Sequence, residues 1–296
     1  MPSTGVKPVV EVIIVNYNAG DALTRCVQSV FAQQAPVRLI VVDNASSDNS
    51  VASLHKAIGS PENVTVIANS ENLGFAKAVN AAAWNLEQGG HYLLILNPDC
   101  EMLPGSLVAL GSALDDDPRA ALAGPAVVDR DGQVMRGTLR RFPDPWNSFL
   151  TFSGLWRLGR WVPAFRGIEM SGQLPADTAH AEAVSGACMM LRKSVFIELG
   201  CMDGAYGLHC EDLDLMYRVR QGGFHCLIVP SARVFHQQGI SSSSRPLWVH
   251  WQRHLGMQRF FLKFQAEKTV FPLRWLVLTG IWLRFAVKLP LVWFRG

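Results

Sequence analysis

Five separate stretches carry side chains able to do chemistry together. In HCEDLDLMYRVRQGG, Glu211, Asp212 and Asp214 cluster where a helical pattern begins. Clustered carboxylates raise one another's pKa, which suits one of them to take a proton from an attacking hydroxyl. Acids favoured by a helix dipole account for the same cluster without chemistry. In LLILNPDC, Asp99 follows a strand-like run on a turn stiffened by Pro98. A hard carboxylate there suits Mg²⁺ or Mn²⁺, which bridge to phosphates, although a solvated turn acid has the same pattern. His236, in VFHQQGIS, is either a structural residue or a second ligand for that metal. Asp43, in VVDNASSDNS, can accept hydrogen bonds from a nucleobase or ribose; equally, Asp43, Asn44 or Ser46 can cap the next helix. In NSENLGFAKAVNAA, Asn72, Gly74 and Lys77 lead into a helix whose start attracts phosphate, or they form an ordinary glycine turn beside a solvated lysine. The pattern is neither a P-loop nor GxGxxG.

The elements that must position these residues are legible in the first hundred positions. Short branched runs at Val9 to Val15, Val37 to Val42, Tyr92 to Leu96 and, less clearly, Val64 to Ala68 alternate with helical patterns at Ala22 to Gln33 and Ala76 to Glu87. Buried strands alternating with helices predict an α/β fold with a parallel sheet. Ligands of such sheets sit beyond the carboxyl ends of the strands. Those ends carry Asn16-Tyr17-Asn18, Asp43-Asn44 and Asn97-Pro98-Asp99. Arg136 to Asp177, with three tryptophans and four prolines, reads as irregular. Ordered pattern returns at Ala183 to Gly200, Asp212 to Gln221 reads as a short helix, and a strand at Cys226 to Val229 is expected to end in a turn at Pro230.

Composition narrows the function. The 296 residues are 49% hydrophobic, enough for a full core, and the net charge of +3 gives no reason to expect nucleic acid as partner. Six cysteines form no CxxC pair and read as reduced, buried thiols of a cytosolic protein. The apolar run near the N-terminus lacks a small-residue cleavage site and reads as a first strand rather than a signal peptide.

Taken in order, VIIVNYN, VVDNASSDNS, ENLGFAKAVN, LLILNPDC, SGACMMLRKSVFIELG, CEDLDLMYRVRQGG and VFHQQG resemble the family 2 glycosyltransferases, in particular the bacterial rhamnosyltransferase-like branch. The resemblance spans about Val9 to Ser244. It implies a GT-A nucleotide-diphospho-sugar transferase fold, a mixed and mainly parallel sheet flanked by helices. It implies a donor-binding half over about 1–125 and an acceptor half over about 126–245. Asp43, with Tyr17 and Asn18, would hold the nucleoside of a nucleotide-diphosphate sugar. Asn72, Gly74 and Lys77 would face its phosphates. Asn97-Pro98-Asp99 takes the place of the DxD motif, so Asp99 would bind a divalent metal, with His236 as a later ligand. Gly186 and Ala187 would lie near the donor sugar. Asp212 would be the base and Glu211 its support. The chain departs from the branch at Asn97, where DxD has its first Asp, and at Gly207, Leu208 and His209, where aromatic residues often precede the acidic pair. The implied reaction is inverting transfer, with rhamnose the sugar that the branch suggests, to a glycan or lipid-linked glycan acceptor in bacterial polysaccharide biosynthesis.

Residues 246–296 differ from the rest. From Arg245 onward there are many Arg and Lys and one acid, Glu267. The longest uncharged run near the middle, Trp275 to Leu283, has nine residues, well short of the about 20 that span a bilayer. On a helix Arg274, Arg284 and Lys288 fall within an arc of about 80°. A basic stripe with tryptophan flanks suits an anionic membrane interface, with Pro272 and Pro290 expected to break or bend the helix. This predicts amphipathic C-terminal helices that associate with a membrane surface through 270–296, and a cytoplasmic protein peripheral on the inner face of the inner membrane. Packing on the catalytic domain or on a second subunit is the other reading of the same helix. Two further function classes stand against the transferase. Nucleotidyl transfer would want a basic, Gly-rich loop where Asn16 to Gly20 lies, and a non-catalytic membrane scaffold would not need Asp43, Asp99, Asp212 and His236 together.

Overall fold

The computed structural model describes residues 9–84, 86, 90–170, 174–237 and 245–293. Strand and helix alternate through β1 (Val10–Asn16), α1 (Asp21–Phe31), β2 (Val37–Asp43), α2 (Ser50–Ile58), β3 (Val64–Ala68), α3 (Phe75–Trp84) and β4 (Tyr92–Leu96). β1 pairs in parallel with β2 on one side and β4 on the other, and β2 with β3. Every residue of β1 and β4 is buried. That burial on both faces is why these strands read as continuous apolar runs. Alternate side chains serve two cores. Ile13, Ile40 and Ile95 point to the layer containing α3, and Val12, Leu39 and Leu94 to the layer containing α1 and α2.

The second half turns the sheet mixed. It runs through β5 (Cys100–Met102), α4 (Ser106–Asp116), β6 (Ala120–Val128), β7 (Leu139–Arg140), α5 (Pro145–Ser153), β8 (Ala179–Ala181), β9 (Ala183–Val184), β10 (Cys188–Arg192), α6 (Lys193–Glu198), α7 (Glu211–Gln221), β11 (His225–His236), α8 (Pro246–Phe264) and α9 (Phe271–Trp293). The main sheet has the order β3-β2-β1-β4-β10-β6-β11-β5, with β8 also on β11 and with β7-β9 as a separate pair. β10 is antiparallel to both β4 and β6, while β11 runs parallel to β6 and antiparallel to β5.

Three expectations are corrected. The stretch expected to be irregular contains α5. The Asp144 side chain accepts from the Asn147 N–H, and the Asn147 side chain accepts from the Asp144 N–H, a reciprocal cap that starts the helix at Pro145. Pro230 does not end its strand. β11 continues to His236 across a register shift between Val229 and Arg233, and a bulge absorbs the proline that a regular ladder would reject. Pro272 and Pro290 do not break α9 either. Pro272 lies in the first turn, where its missing N–H costs nothing, and Pro290 lies within the last turn. The 23-residue helix runs straight through its basic residues, and by length and composition it is long and apolar enough to cross a membrane.

α8 belongs to the core. Phe260 and Phe264 are buried with Met216 and Val219 of α7. Lys263 of α8 donates to Asp214 of α7 at 2.6 Å and to Asp203 at 2.8 Å, and Arg218 donates to the other Asp214 oxygen at 2.6 Å. Arg218 also donates to the carbonyls of Leu199 and Cys201, so the fully buried Asp214 carboxylate ties α6, α7 and α8 together. All six cysteines are free thiols.

Removing one side of a buried ion pair leaves the other uncompensated, at a cost of about 3–5 kcal/mol. Asp214→Asn is therefore expected to lower unfolding free energy by roughly 3 kcal/mol, the low end because Lys263 is partly exposed. Urea denaturation of the full chain measures it, and a loss below about 0.5 kcal/mol would remove this network from the fold's supports.

Candidate active site

The carboxyl ends of β1, β2 and β4 open on one cleft of about 1740 Å³ that continues between α5, α8 and α9. Its lining includes Tyr17, Asn72, Gly74, Asn97, Asp99, Gly186, Ala187, Glu211, Asp212 and His236. Asn18, Asp43 and Lys77 are not among its lining residues. The buried Asn16 amide donates to Asp43 Oδ1 at 2.8 Å, and to the Ser46 and Ser50 hydroxyls. The Asn18 side-chain Oδ1 accepts from the Ser47 N–H at 2.7 Å and helps close the loop after β2. The stem of Lys77 lies against Gly204. Asn44 performs the analogous task on the far side, bridging Asn69, Asn72 and the Leu73 N–H. Gly74 has φ +82° and faces the Gly207 carbonyl, which would lie 3.2 Å from any added side chain. Both the backbone sign and the close approach require glycine there.

Asp99 and His236 are brought together by a strand pair that the sequence spacing conceals. β11 runs antiparallel to β5 with His236 opposite Cys100, and the Gln237 N–H donates to the Asp99 carbonyl at 3.0 Å. His236 Nε2 then lies 3.1 Å from Asp99 Oδ1, both side chains largely buried. Cys100 shares the cluster. Its thiol donates to the Ala187 carbonyl, and burial pushes its pKa well up, so it stays protonated. The remaining donors are a carboxylate oxygen and an imidazole nitrogen, a set that fits Mn²⁺ or Mg²⁺ better than a thiolate-seeking metal.

The acidic pair sits at the start of α7. Two successive residues, His209 (φ +68°) and Cys210 (φ +70°), adopt left-handed backbone to turn the chain into that helix. Such conformations cost about 1–3 kcal/mol each and persist only where surrounding structure imposes them. Asp212 is ion-paired with Arg140, whose guanidinium also donates to the Val184 carbonyl. Burial works against ionisation of Asp212, but the Arg140 charge and hydrogen bond outweigh it and hold its pKa below the usual carboxylate range. Glu211 goes the other way. Burial, and then the Asp212 charge, push it up to about 8, and its Oε2 has no hydrogen-bond partner. A methyl group on Gly186 would meet Asp212 Oδ2 at 2.5 Å, so the space left by this glycine is filled by the carboxylate itself.

Residues 11–200 match the family model described as "Glycosyl transferase family 2". The chain belongs to glycosyltransferase family 2. Its sheet and helices are the GT-A fold, and the protein is a glycosyltransferase. It is 29% identical over 288 residues to the N-acetylglucosaminyl-diphospho-decaprenol L-rhamnosyltransferase of Mycobacterium tuberculosis strain H37Rv, covering 93% of this chain and 91% of that one. It is 22% identical to the Rhamnosyltransferase WbbL of Escherichia coli K12, covering 77% and 83%. Among solved structures, GalNAc-T7 with UDP, GalNAc and Mn²⁺ superposes with a TM-score of 0.62 at 19% identity, over 88% of this chain and 48% of that enzyme's length. The mannosyltransferase PcManGT of Pyrobaculum calidifontis, in complex with GDP-Man and Mn²⁺, gives 0.59 at 16% identity, over 100% and 76%.

Sequence spacing did not reveal Arg140, Arg253 or His209 as residues of this transferase's cleft. Arg140 lies 72 positions before its partner Asp212 on a two-residue strand, with no periodic pattern to mark it.

Glu211 yields a signed pH prediction. Its folded pKa is raised to about 8 from 4.5, so between those values the unfolded chain releases a proton that the fold retains. Stability therefore falls as pH rises through this window. Glu211→Gln is expected to raise Tm over wild type increasingly from pH 5 to 8, and to give no gain below pH 4.5. Calorimetric melts across that range check it; a gain independent of pH would show that Glu211 is ionised in the fold.

Proposed function

We propose that this glycosyltransferase is inverting and metal-dependent, moving a sugar, with rhamnose as first candidate, from a nucleoside-diphosphate donor to a hydroxyl of a lipid-linked glycan. The observation that carries the reading is that the Asp99–His236 pair and the Glu211–Asp212 pair line one cleft. Asp99 and His236 would hold a Mn²⁺ or Mg²⁺ ion, which when bound neutralises the diphosphate leaving group as a Lewis acid. Asn72 and the Gly74 backbone stand on the same wall for the donor, with Tyr17 toward its nucleoside and Ala187 toward its sugar. Asn18, Asp43 and Lys77 stand close to lining residues in sequence and remain candidates for donor contact.

The acidic pair divides its work through opposite pKa shifts. Asp212 is ionised at neutral pH and accepts the proton of the acceptor hydroxyl as it attacks the anomeric carbon. Glu211, protonated below about pH 8, adds no second negative charge beside it. A single displacement with one base inverts the anomeric centre. The mycobacterial and enterobacterial relatives support rhamnose and a diphospho-lipid acceptor by their names. They also support a role in bacterial polysaccharide assembly. The exposed Phe271, Trp275 and Leu291 of α9 support attachment to the cytoplasmic face of the inner membrane through 270–296.

Calorimetry with dTDP-, UDP- and GDP-sugars plus Mn²⁺ is expected to show binding of one of them. Failure of all three would sink the reading. Asp99→Ala is expected to abolish the metal-dependent part of that binding. Asp212→Asn should keep donor binding while lowering turnover by about 10²–10⁴-fold, the usual worth of a general base. Turnover within a factor of three of wild type would move the base elsewhere.

A further inference from the structure

Four cationic side chains line the cleft where it passes α8 and α9: Arg245, Arg253, Arg284 and Lys288. The cleft's other arginines are neutralised, Arg136 by Glu169 at 2.7 Å and Arg140 by Asp212. Among the described residues, no carboxylate pairs with Arg253 or Arg284. Each is held instead by a histidine. Arg284 Nη1 donates to His254 Nε2 at 3.2 Å, and Arg253 Nη2 approaches His209 Nε2 at 3.5 Å.

These histidines orient charge without cancelling it. His254 is fully buried, and its Nδ1–H donates to the His250 carbonyl at 2.7 Å, which fixes Nε2 as an acceptor. Burial holds both rings neutral, pushing each down to about 4. Burial first, and then the nearby Arg253 charge, lower the pKa of Arg284. Arg284 is partly buried over the ring of Phe152, and its Nε–H has no partner. Two guanidiniums without a carboxylate partner, one of them with an unpaired Nε–H, are a site for an oxyanion.

Beyond them the cleft becomes apolar, walled by Trp146, Phe149 and Phe152 of α5 and by Leu276, Gly280 and Val287 of α9. On the other side lies the loop from His209 to Asp212, whose His209 ring feels both Arg253 and Asp212. A ligand spanning these zones has a hydroxyl-bearing head at Asp212, an anionic phosphate at the arginines and a hydrocarbon chain along α9. We propose that Arg253 and Arg284 bind the phosphate or diphosphate of an isoprenoid-linked acceptor, whose chain lies between α5 and α9. This deepens the transferase reading and rests on it only for the identity of the sugar-bearing head.

The test uses the full chain in mild detergent, titrated with farnesyl diphosphate, with farnesol and, separately, with Mn²⁺ and UDP. Wild type is expected to bind farnesyl diphosphate at least tenfold more tightly than farnesol. Arg253→Gln and Arg284→Gln should each weaken the diphosphate lipid about tenfold or more, the usual worth of a charged hydrogen bond, and leave farnesol and UDP binding unchanged. Arg284→Lys should recover part of the loss. Arg253 is exposed, so its variant tests the site even if Arg284→Gln does not fold. Equal wild-type affinity for farnesol and farnesyl diphosphate would overturn the proposal. So would an Arg253→Gln variant within twofold of wild type, or UDP affinity falling in step, which would put the arginines on the donor. A wild-type chain that binds farnesyl diphosphate through both arginines but none of the dTDP-, UDP- and GDP-sugars sustains this site and sinks the proposed donor chemistry.

Discussion

A carboxylate kept ionised inside the protein organises this molecule. Asp212 is buried, and a buried carboxylate tends to hold its proton. Arg140 reverses that tendency, and the geometry around it follows. Arg140 comes from the short β7–β9 pair, which fixes it against the Val184 carbonyl. Gly186 leaves the room that the carboxylate fills. His209 and Cys210 accept left-handed backbone so that α7 begins beneath the cleft. The neighbouring Glu211, denied such a partner, takes the proton that Asp212 refuses. Two adjacent acids thus acquire different protonation states from their surroundings alone.

The same economy of placement operates at the other end of the cleft. β11 is the longest strand described, and its irregularity at Pro230 lets it follow β6 first and then reach β5. Only the last residues of that path matter to the chemistry, since they set His236 beside Asp99. Thus the first half of the chain supplies the acid and the second half the imidazole, 137 positions apart in sequence (236 minus 99) and 3.1 Å apart in space.

How much of this was legible in the sequence depended on what each residue answers to. The parallel strands were visible because burial on both faces demands unbroken apolar runs, and the predicted boundaries of β1, β2, β3 and β4 agree with the structure to within a residue or so. Asp99, Asp212 and His236 were visible because each follows or opens such an element. α5 was hidden among tryptophans and prolines, since its cap depends on a side-chain exchange between Asp144 and Asn147 that no hydrophobic period reports. The continuation of β11 past Pro230 was hidden because a bulge tolerates what a regular strand excludes. Arg140 was hidden for a third reason: a long-range ion pair leaves no local pattern. Asp43 was legible as a polar residue at a strand end, though sequence alone could not divide it between ligand and scaffold.

The C-terminal helices show where charge pattern alone misleads. Arg274, Arg284 and Lys288 share one side of α9, which on an isolated helix suggests a face turned to anionic lipid. In the folded chain Arg274 donates to the Thr269 and Glu267 carbonyls, Arg284 is half-buried on the cleft wall, and Lys288 lines the cleft while staying exposed. The face left outside is apolar, and Ile281 and Phe285 anchor the opposite side, with Phe285 stacked on His250 of α8. α9 therefore packs through Ile281 and Phe285, leaves Trp275 and Leu291 exposed, and sets Arg284 on the cleft. A helix built only to adhere to a membrane has no reason to draw Arg284 into a cleft, and one built only to pack has no reason to leave Trp275 and Leu291 bare. Both features have one explanation if the helix stands between a hydrocarbon phase and an anionic group reaching the catalytic cleft from it. The neutral histidines behind the arginines fit the same logic, because an acidic partner there would repel the very group the cleft must admit.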